Sequence, residues 1–257
     1  MNVLWSVLLT ALLFLVYAAD PSAAKSLGEK PNIVFILADD MGYGDLKVYN
    51  PKSKIPTPHL DKLAARGLTF TDAHSGGSTC KPSRYALLTG RFAARKDGFF
   101  DNRGPIITAG RPTIASLLRD RGYETAMVGK WHLGFDKKNV QPATGKGIAF
   151  NYDEPLTGGP ADRGFASFFG MHASLDIPPY FYVRGRKPTM PPKNTVGASD
   201  SVGGKEGWNH IQGAFWRAGN VSPDFKHVEV TPRFAKEASQ VIADHDGKKP
   251  LFLYLAL

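Results

Sequence analysis

Three short clusters bring together residue types that can do chemistry. Asp39 and Asp40 are adjacent carboxylates directly after the apolar run Ile33-Val34-Phe35-Ile36-Leu37. Two carboxylates at such a place can hold a hard divalent cation through oxygen, or serve as a helix cap or turn pair. The chain's single cysteine, Cys80, heads Cys80-Lys81-Pro82-Ser83-Arg84 and follows a small-residue loop containing Gly76 and Gly77. Pro82 suits the first turn of a helix. Cys80 is therefore predicted at a helix N-terminus, where backbone donors and the helix dipole favour an anion. Arg84 adds a fixed charge with a fork of donors. A lone cysteine is otherwise a small buried hydrophobe, which its polar and cationic neighbours fit poorly. The third cluster is Gly129-Lys130-Trp131-His132-Leu133-Gly134. On extended backbone Lys130 and His132 point to the same side, where they could bind an anion and hydrogen-bond a nucleophile. A solvated lysine and a structural histidine are the alternative.

The elements that must position these clusters read as strands alternating with helices. Ile33 to Leu37 is apolar and β-branched, which predicts a strand buried on both faces. Thr57-Pro58 opens a helix with Thr as cap, Leu60, Leu63 and Ala64 on its inner face and Gly67 as stop. Leu68 to Thr71 follows as a strand candidate. Pro112 to Arg121 is predicted helical, with Ile114, Leu117 and Leu118 inward and Gly122 as the stop. Tyr123 to Val128 is the next strand. Thr231-Pro232 starts another helix, with Phe234, Ala238, Val241 and Ile242 inward, and Leu251 to Leu257 is a last strand. The expected fold class is α/β: a largely parallel or mixed central sheet flanked by helices. Asp136 to Lys226 is rich in Gly, Pro and aromatics and reads as long surface loops with short elements. Within it, Tyr180-Phe181-Tyr182 could stack on sugar rings and Arg184-Gly185-Arg186-Lys187 could meet a second anion; a packed loop with a solvated charge run is the alternative.

Composition sets the outer bounds. With 42% hydrophobic and 21% charged residues, wholesale disorder is excluded. A single cysteine excludes an internal disulfide framework and a cysteine-rich zinc site. The net charge of +9 favours anionic partners without choosing among nucleic acid, polyanionic sugar and lipid headgroups. No basic run longer than three residues occurs, so no nucleic-acid arm is expected. Residues 3–19 carry no charge and precede the small residues Ser22, Ala23 and Ala24, which predicts a secretory signal peptide over residues 1–24. Cleavage could follow Ala18 or Ala24. An uncleaved anchor is the alternative, since no Lys or Arg precedes the apolar core. The expected location is secreted, or periplasmic or lumenal, with no membrane attachment after cleavage. Leu251 to Leu257 has no polar tail after it, which predicts a truncated chain.

Taken together, the clusters resemble a known family. Cys80-Lys81-Pro82-Ser83-Arg84 with its Thr89-Gly90-Arg91 ending resembles the signature of the type I sulfatases, members of the alkaline phosphatase superfamily. Gly122 to Gly134 resembles their second signature, and Pro31 to Asp45 their opening strand and metal pair. Phe252 to Leu257 resembles a later strand that leads to a family histidine. The resemblance implies a sulfatase N-terminal catalytic domain over residues 28–257, acting on sulfated small molecules or polysaccharides. It implies that a maturation enzyme oxidises Cys80 to formylglycine, whose hydrate attacks the ester sulfur and later expels sulfate. It further implies Ca²⁺ held by Asp39, Asp40 and the Cys80-derived residue. Arg84 and Lys130 would stabilise anionic oxygens, and His132 would hydrogen-bond the formylglycine hydroxyl and assist its deprotonation. The family's later Asp-Asn metal pair, second lysine and leaving-group histidine have no matching segment here, and His210, His227 and His245 lie in no family motif. Two other readings are a phosphate or phosphonate ester hydrolase of the same superfamily and a catalytically incomplete fragment binding anionic glycans.

Overall fold

The computed structural model describes residues 30–99, 104–142, 148–201 and 214–257. The predicted signal peptide and His210 lie outside the described residues. The chain divides into two units, residues 1–32 and 33–257; the described part of the first, residues 30–32, forms no regular element. In the second, six strands form one sheet: β1 (Ile33–Leu37), β2 (Glu124–Lys130), β5 (Ser167–Met171), β6 (Tyr182–Arg184), β7 (Lys187–Pro188) and β12 (Leu251–Ala256). Their order is β1-β12-β2-β5-β6-β7. The first four strands run parallel and the last two join antiparallel. Among the described residues three two-stranded ribbons lie outside it, pairing β3 (Val140–Pro142) with β4 (Ile148–Phe150), β8 (Asn194–Val196) with β11 (Gly219–Val221), and β9 (Ser199–Ser201) with β10 (Ala214–Trp216). The α/β expectation holds.

Among the described residues four α-helices accompany the sheet: α1 (Pro58–Ala64), α2 (Cys80–Thr89), α3 (Ile114–Asp120) and α4 (Val230–Ala243). Alternation along β12 divides the core. Phe252, Tyr254 and Ala256 pack with Tyr85 and Leu88 of α2 and Ala115 of α3. Leu251 and Leu253 pack with Phe234 and Ala238 of α4 on the other face. A strand covered on both sides has no need of polar alternation, which is why β12 reads as an unbroken apolar run.

Several local expectations change. β1 is an edge strand, and Val34 (47% exposed) and Ile36 (56%) face outward, so it is not buried on both faces. The internal position belongs to β12. α1 begins at Pro58 after Thr57 as predicted, but no residue in it is buried, and Leu60 and Leu63 are exposed. Leu68 to Thr71 forms no strand, having no sheet neighbour to complete its hydrogen bonds. α3 starts at Ile114, where Thr113 and Ser116 form a reciprocal cap. Its buried residue is Ala115 rather than Ile114 or Leu117, because Thr113 also donates to the Arg163 carbonyl at 2.6 Å and seats the first turn on that backbone. α4 starts at Val230, one residue before the predicted cap, and leaves Ile242 exposed. The stretch read as loops with short elements contains β5, and that short element is an interior strand of the main sheet rather than a surface one. Its Gly170 looks like a strand breaker, but a Cβ there would lie 1.8 Å from the Gly129 carbonyl oxygen, so the close strand approach requires glycine.

Candidate active site

The three clusters converge at the carboxyl ends of β1, β2 and β12, where ligands sit in open α/β sheets. Cys80 is the first residue of the ten-residue helix α2, and Pro82 lies in its first turn. The preceding loop folds flat on that turn. A Cβ on Gly77 would lie 2.8 Å from the Ser83 backbone nitrogen, and one on Gly76 would lie 2.4 Å from the Ala86 methyl. The Ser83 hydroxyl donates to the Gly77 carbonyl at 2.8 Å and holds the loop there. Thr79 at the N-cap makes no side-chain cap, so the helix's positive end is not capped from within. Arg84 follows Cys80 by four residues and so shares its helix face.

Arg84 is 1% exposed and ties the helix to the sheet. One terminal nitrogen donates to the Lys130 carbonyl at 2.8 Å and the other to the Leu257 carbonyl at 3.0 Å. The second also lies 3.7 Å from the Asp39 carboxylate. The Lys130 ammonium, itself buried, donates to Asp39 at 2.5 Å and to the Ser174 hydroxyl at 3.0 Å. Two cations on one carboxylate leave the cluster with a surplus of positive charge.

His132 lies at this positive centre but not by the predicted geometry. β2 ends at Lys130, and His132 sits at φ 56°, so the backbone is not extended through it. Two contacts turn it: the His132 N–H donates to the His172 carbonyl at 3.1 Å, and the Trp131 indole donates to the Gly134 carbonyl at 2.8 Å. His132 is 5% exposed, and neither ring nitrogen has a hydrogen-bond partner. Burial, with the charges of Lys130, Lys81 and Arg84 adding to it, pushes its pKa down to about 2. The imidazole is therefore neutral at physiological pH and has an acceptor nitrogen to offer. Burial likewise lowers the Lys81 ammonium, with neighbouring Cys80 acting the other way.

Asp40 is exposed at φ 55°, a left-handed conformation that turns the backbone between two adjacent carboxylates. Among the described residues no group of three or more His, Cys, Asp or Glu side chains is close enough to hold a metal. The donors at Asp39 and Asp40 fit a hard cation in kind, being carboxylate oxygens at the open end of the sheet. They fall short in number of the six to eight oxygens such an ion takes.

Tyr180, Phe181 and Tyr182 are buried core residues and do not offer stacking faces. Arg184 pairs with Glu237 and Arg186 with Asp162, so both are engaged within the fold. His227 stacks on Trp216, and His245 lies 3.3 Å from Glu124. Sequence reasoning missed Ser174, which holds Lys130 from 44 residues away, and His172. No local signal marks either, since neither belongs to the clusters read from the sequence.

A largely parallel sheet thus carries at its carboxyl end a helix N-terminus opened by Cys80, two buried cations and a buried histidine, a combination suited to an anion. The chain matches the Sulfatase family model over residues 31–257, and it belongs to that family. It is 32% identical over 253 residues to the N-acetylgalactosamine-6-O-sulfatase of Bacteroides thetaiotaomicron, covering 88% of this chain and 47% of that protein. It is 48% identical over 116 residues to arylsulfatase G of Mus musculus, covering 44% of this chain and 22% of that protein. A solved structure described under metabolism of multiple glycosaminoglycans by Bacteroides thetaiotaomicron superposes with a TM-score of 0.68 at 29% identity, covering 89% of this chain and 51% of the other. The structure of Ps i-CgsB in complex with k-i-k-neocarrahexaose superposes with a TM-score of 0.55 at 26% identity, covering 89% and 45%. The chain spans at most about half the length of these proteins.

Proposed function

We propose that the protein is a sulfuric ester hydrolase whose nucleophile is a formylglycine made from Cys80. The observation that carries this reading is the Asp39–Lys130–Arg84 cluster, two buried cations on one carboxylate that reaches solvent, beside the helix that Cys80 opens, in a chain of the sulfatase family. Arg84 and Lys130 supply charge that stabilises sulfate oxygens in a site screened from water. His132, held neutral, accepts a hydrogen bond from the nucleophile's hydroxyl and so assists its deprotonation. Asp39 and Asp40, with the Cys80-derived residue, contribute oxygens to Ca²⁺, which when bound withdraws electron density from the sulfate. The substrates are sulfated carbohydrates or aryl sulfates, in keeping with the sulfated sugars named for relatives. The maturation partner is a formylglycine-generating enzyme. Residues 1–24 direct export, giving a secreted, periplasmic or lumenal protein, and residues 28–257 form the N-terminal catalytic part. Among the described residues no helix is long and apolar enough to cross a membrane.

The test produces the full-length protein with a maturation system, reads the Cys80 peptide by mass spectrometry, and compares sulfate release with phosphate release from paired aryl esters. The expected result is aldehyde at Cys80 and preferential sulfate release. Thiol alone at Cys80, in a host that modifies another sulfatase, refutes the nucleophile. Faster phosphate release refutes the substrate class.

A further inference from the structure

Two groups of the candidate site leave the sheet side by side with the segment that follows β5. Lys130 ends β2 opposite Met171, the last residue of β5. The pairing runs on past both strands. The Trp131 N–H donates to the Met171 carbonyl at 3.0 Å, and the His132 N–H donates to the His172 carbonyl at 3.1 Å. Two residues further on, the Ser174 hydroxyl oxygen accepts from the Lys130 ammonium at 3.0 Å. The segment after β5 thus holds His132 through the backbone of His172 and Lys130 through the side chain of Ser174.

The His172 ring closes that segment on itself. It is 6% exposed, and its Nε2 lies 2.7 Å from the Pro179 carbonyl oxygen. A carbonyl oxygen only accepts, so Nε2 carries the proton. The bond makes residues 172–179 a closed loop with Ser174 inside it. Within the loop the Ile177 N–H donates to the Ser174 carbonyl at 3.0 Å. The far end is anchored next to Pro179, where the Tyr180 N–H donates to the Asn220 carbonyl and the Tyr180 carbonyl accepts from the Ser222 N–H, both at 2.8 Å. The imidazole lies parallel to the Phe181 ring at 5.2 Å and edge-on to Phe150 at 5.0 Å. A slot between two aromatic rings would suit a phenylalanine without the cost of burying a polar ring; what histidine adds there is the N–H. Burial pushes the His172 pKa down to about 4, with the bond to Pro179 acting the other way. The ring is therefore neutral at physiological pH, and its one N–H is committed to Pro179.

We propose that His172 is a positioning residue for the site: its carbonyl holds the turn that aims His132, and its ring closes the loop that seats Ser174 on Lys130. One side chain thereby sets the neutral histidine and the buried ammonium relative to each other. The catalytic part of this proposal rests on the sulfatase reading above. A phenylalanine at 172 fills the same slot but leaves the Pro179 carbonyl without its donor, so the loop is no longer closed at that point. A displacement of about 1 Å that starts away from the reacting atoms can cost about 100-fold in rate.

The experiment uses the full-length, Cys80-oxidised protein and the variants His172→Phe, His172→Gln and Val183→Ala. Val183 is fully buried on β6 and touches none of these hydrogen bonds, so its truncation loosens the core without opening the loop. Turnover of an aryl sulfate is measured well below the melting temperature of every variant, and crystal structures are compared. His172→Phe should lower kcat about 10- to 100-fold with KM near wild type. His172→Gln, whose amide can donate to Pro179, should keep most of the rate, and Val183→Ala should lower Tm with kcat unchanged. In the His172→Phe crystal structure the Lys130–Ser174 contact should open beyond hydrogen-bond length, and His132 should leave its left-handed conformation. An unchanged kcat in His172→Phe, a glutamine variant as slow as the phenylalanine one, or an equal kcat loss in Val183→Ala would each overturn the proposal. A wild type inactive on sulfate esters would remove the sulfatase reading and leave the crystal structures to decide the positioning claim: either contact retained in His172→Phe refutes it, and both lost supports it.

Discussion

Replacing His132 by Gln should flatten the acid sensitivity of the fold by a predictable amount. The imidazole is ordinary in the unfolded chain, with a pKa of 6.5, and is pushed down to about 2 when folded. The unfolded state therefore binds a proton that the folded state refuses, and stability falls as pH drops through 6.5 toward 2. Between pH 7.5 and 5.5 the penalty grows from nearly nothing to about 1.4 kcal/mol for one such group. His172, buried and pushed down to about 4 by its burial, adds a similar amount over the same interval. The pair should thus cost the wild type about 2.8 kcal/mol on this acidification. His132→Gln should retain the half due to His172, and the double variant with His172→Gln should lose both halves. Urea unfolding at the two pH values measures this, and the difference between pH values cancels any constant effect of the substitution. If His132→Gln loses as much stability as wild type between pH 7.5 and 5.5, the imidazole is not held neutral and the account of its acceptor role fails.

Gly129→Ala should destabilise the protein by at least about 3 kcal/mol or prevent folding, because φ is 119° and the new methyl would lie 1.9 Å from the Ala256 carbonyl oxygen; thermal melting reads this directly. Asp40→Asn keeps a side chain that tolerates φ 55° while removing the charge, so Tm should hold while calcium retention, measured by equilibrium dialysis, falls. Arg84→Met strands the Lys130 and Leu257 carbonyls and should lower the unfolding free energy by about 2–4 kcal/mol in denaturant titrations, with a loss of activity beyond that of unfolding.

What was legible in the sequence is what local chemistry dictates. Cys80 at a helix start followed from Pro82, and Asp39 at a strand's carboxyl end followed from the apolar run before it. Lys130 and His132 were legible as residues but not as geometry, because the turn at His132 depends on the His172 carbonyl, which the local sequence does not contain. Ser174 was invisible for the same reason: it matters through Lys130, 44 residues away. β5 was hidden by Gly170, since a glycine that weakens a strand and one that lets two strands close up look alike in one dimension. The outward side of β1 was misread because an edge strand and a central one can share one composition, and only the order of the sheet separates them.

That order sets a schedule for the growing chain. β1 finds its neighbour in β12, with Ile33 opposite Phe252, so among the described residues β1 has no sheet partner until roughly 220 further residues have been synthesised. At translation speeds of about 5–20 residues per second, that wait is on the order of 10–45 s. Throughout it, β2 and β5 can pair and α2 can form, while β1 trails as an apolar ribbon whose backbone groups are still unmatched. Joining β1 to β2 is a late act in which β12 slides between two segments already present. The Arg84 clamp on the Leu257 carbonyl can close only then, so the charged centre gains that contact from the same event that ties β1 into the sheet.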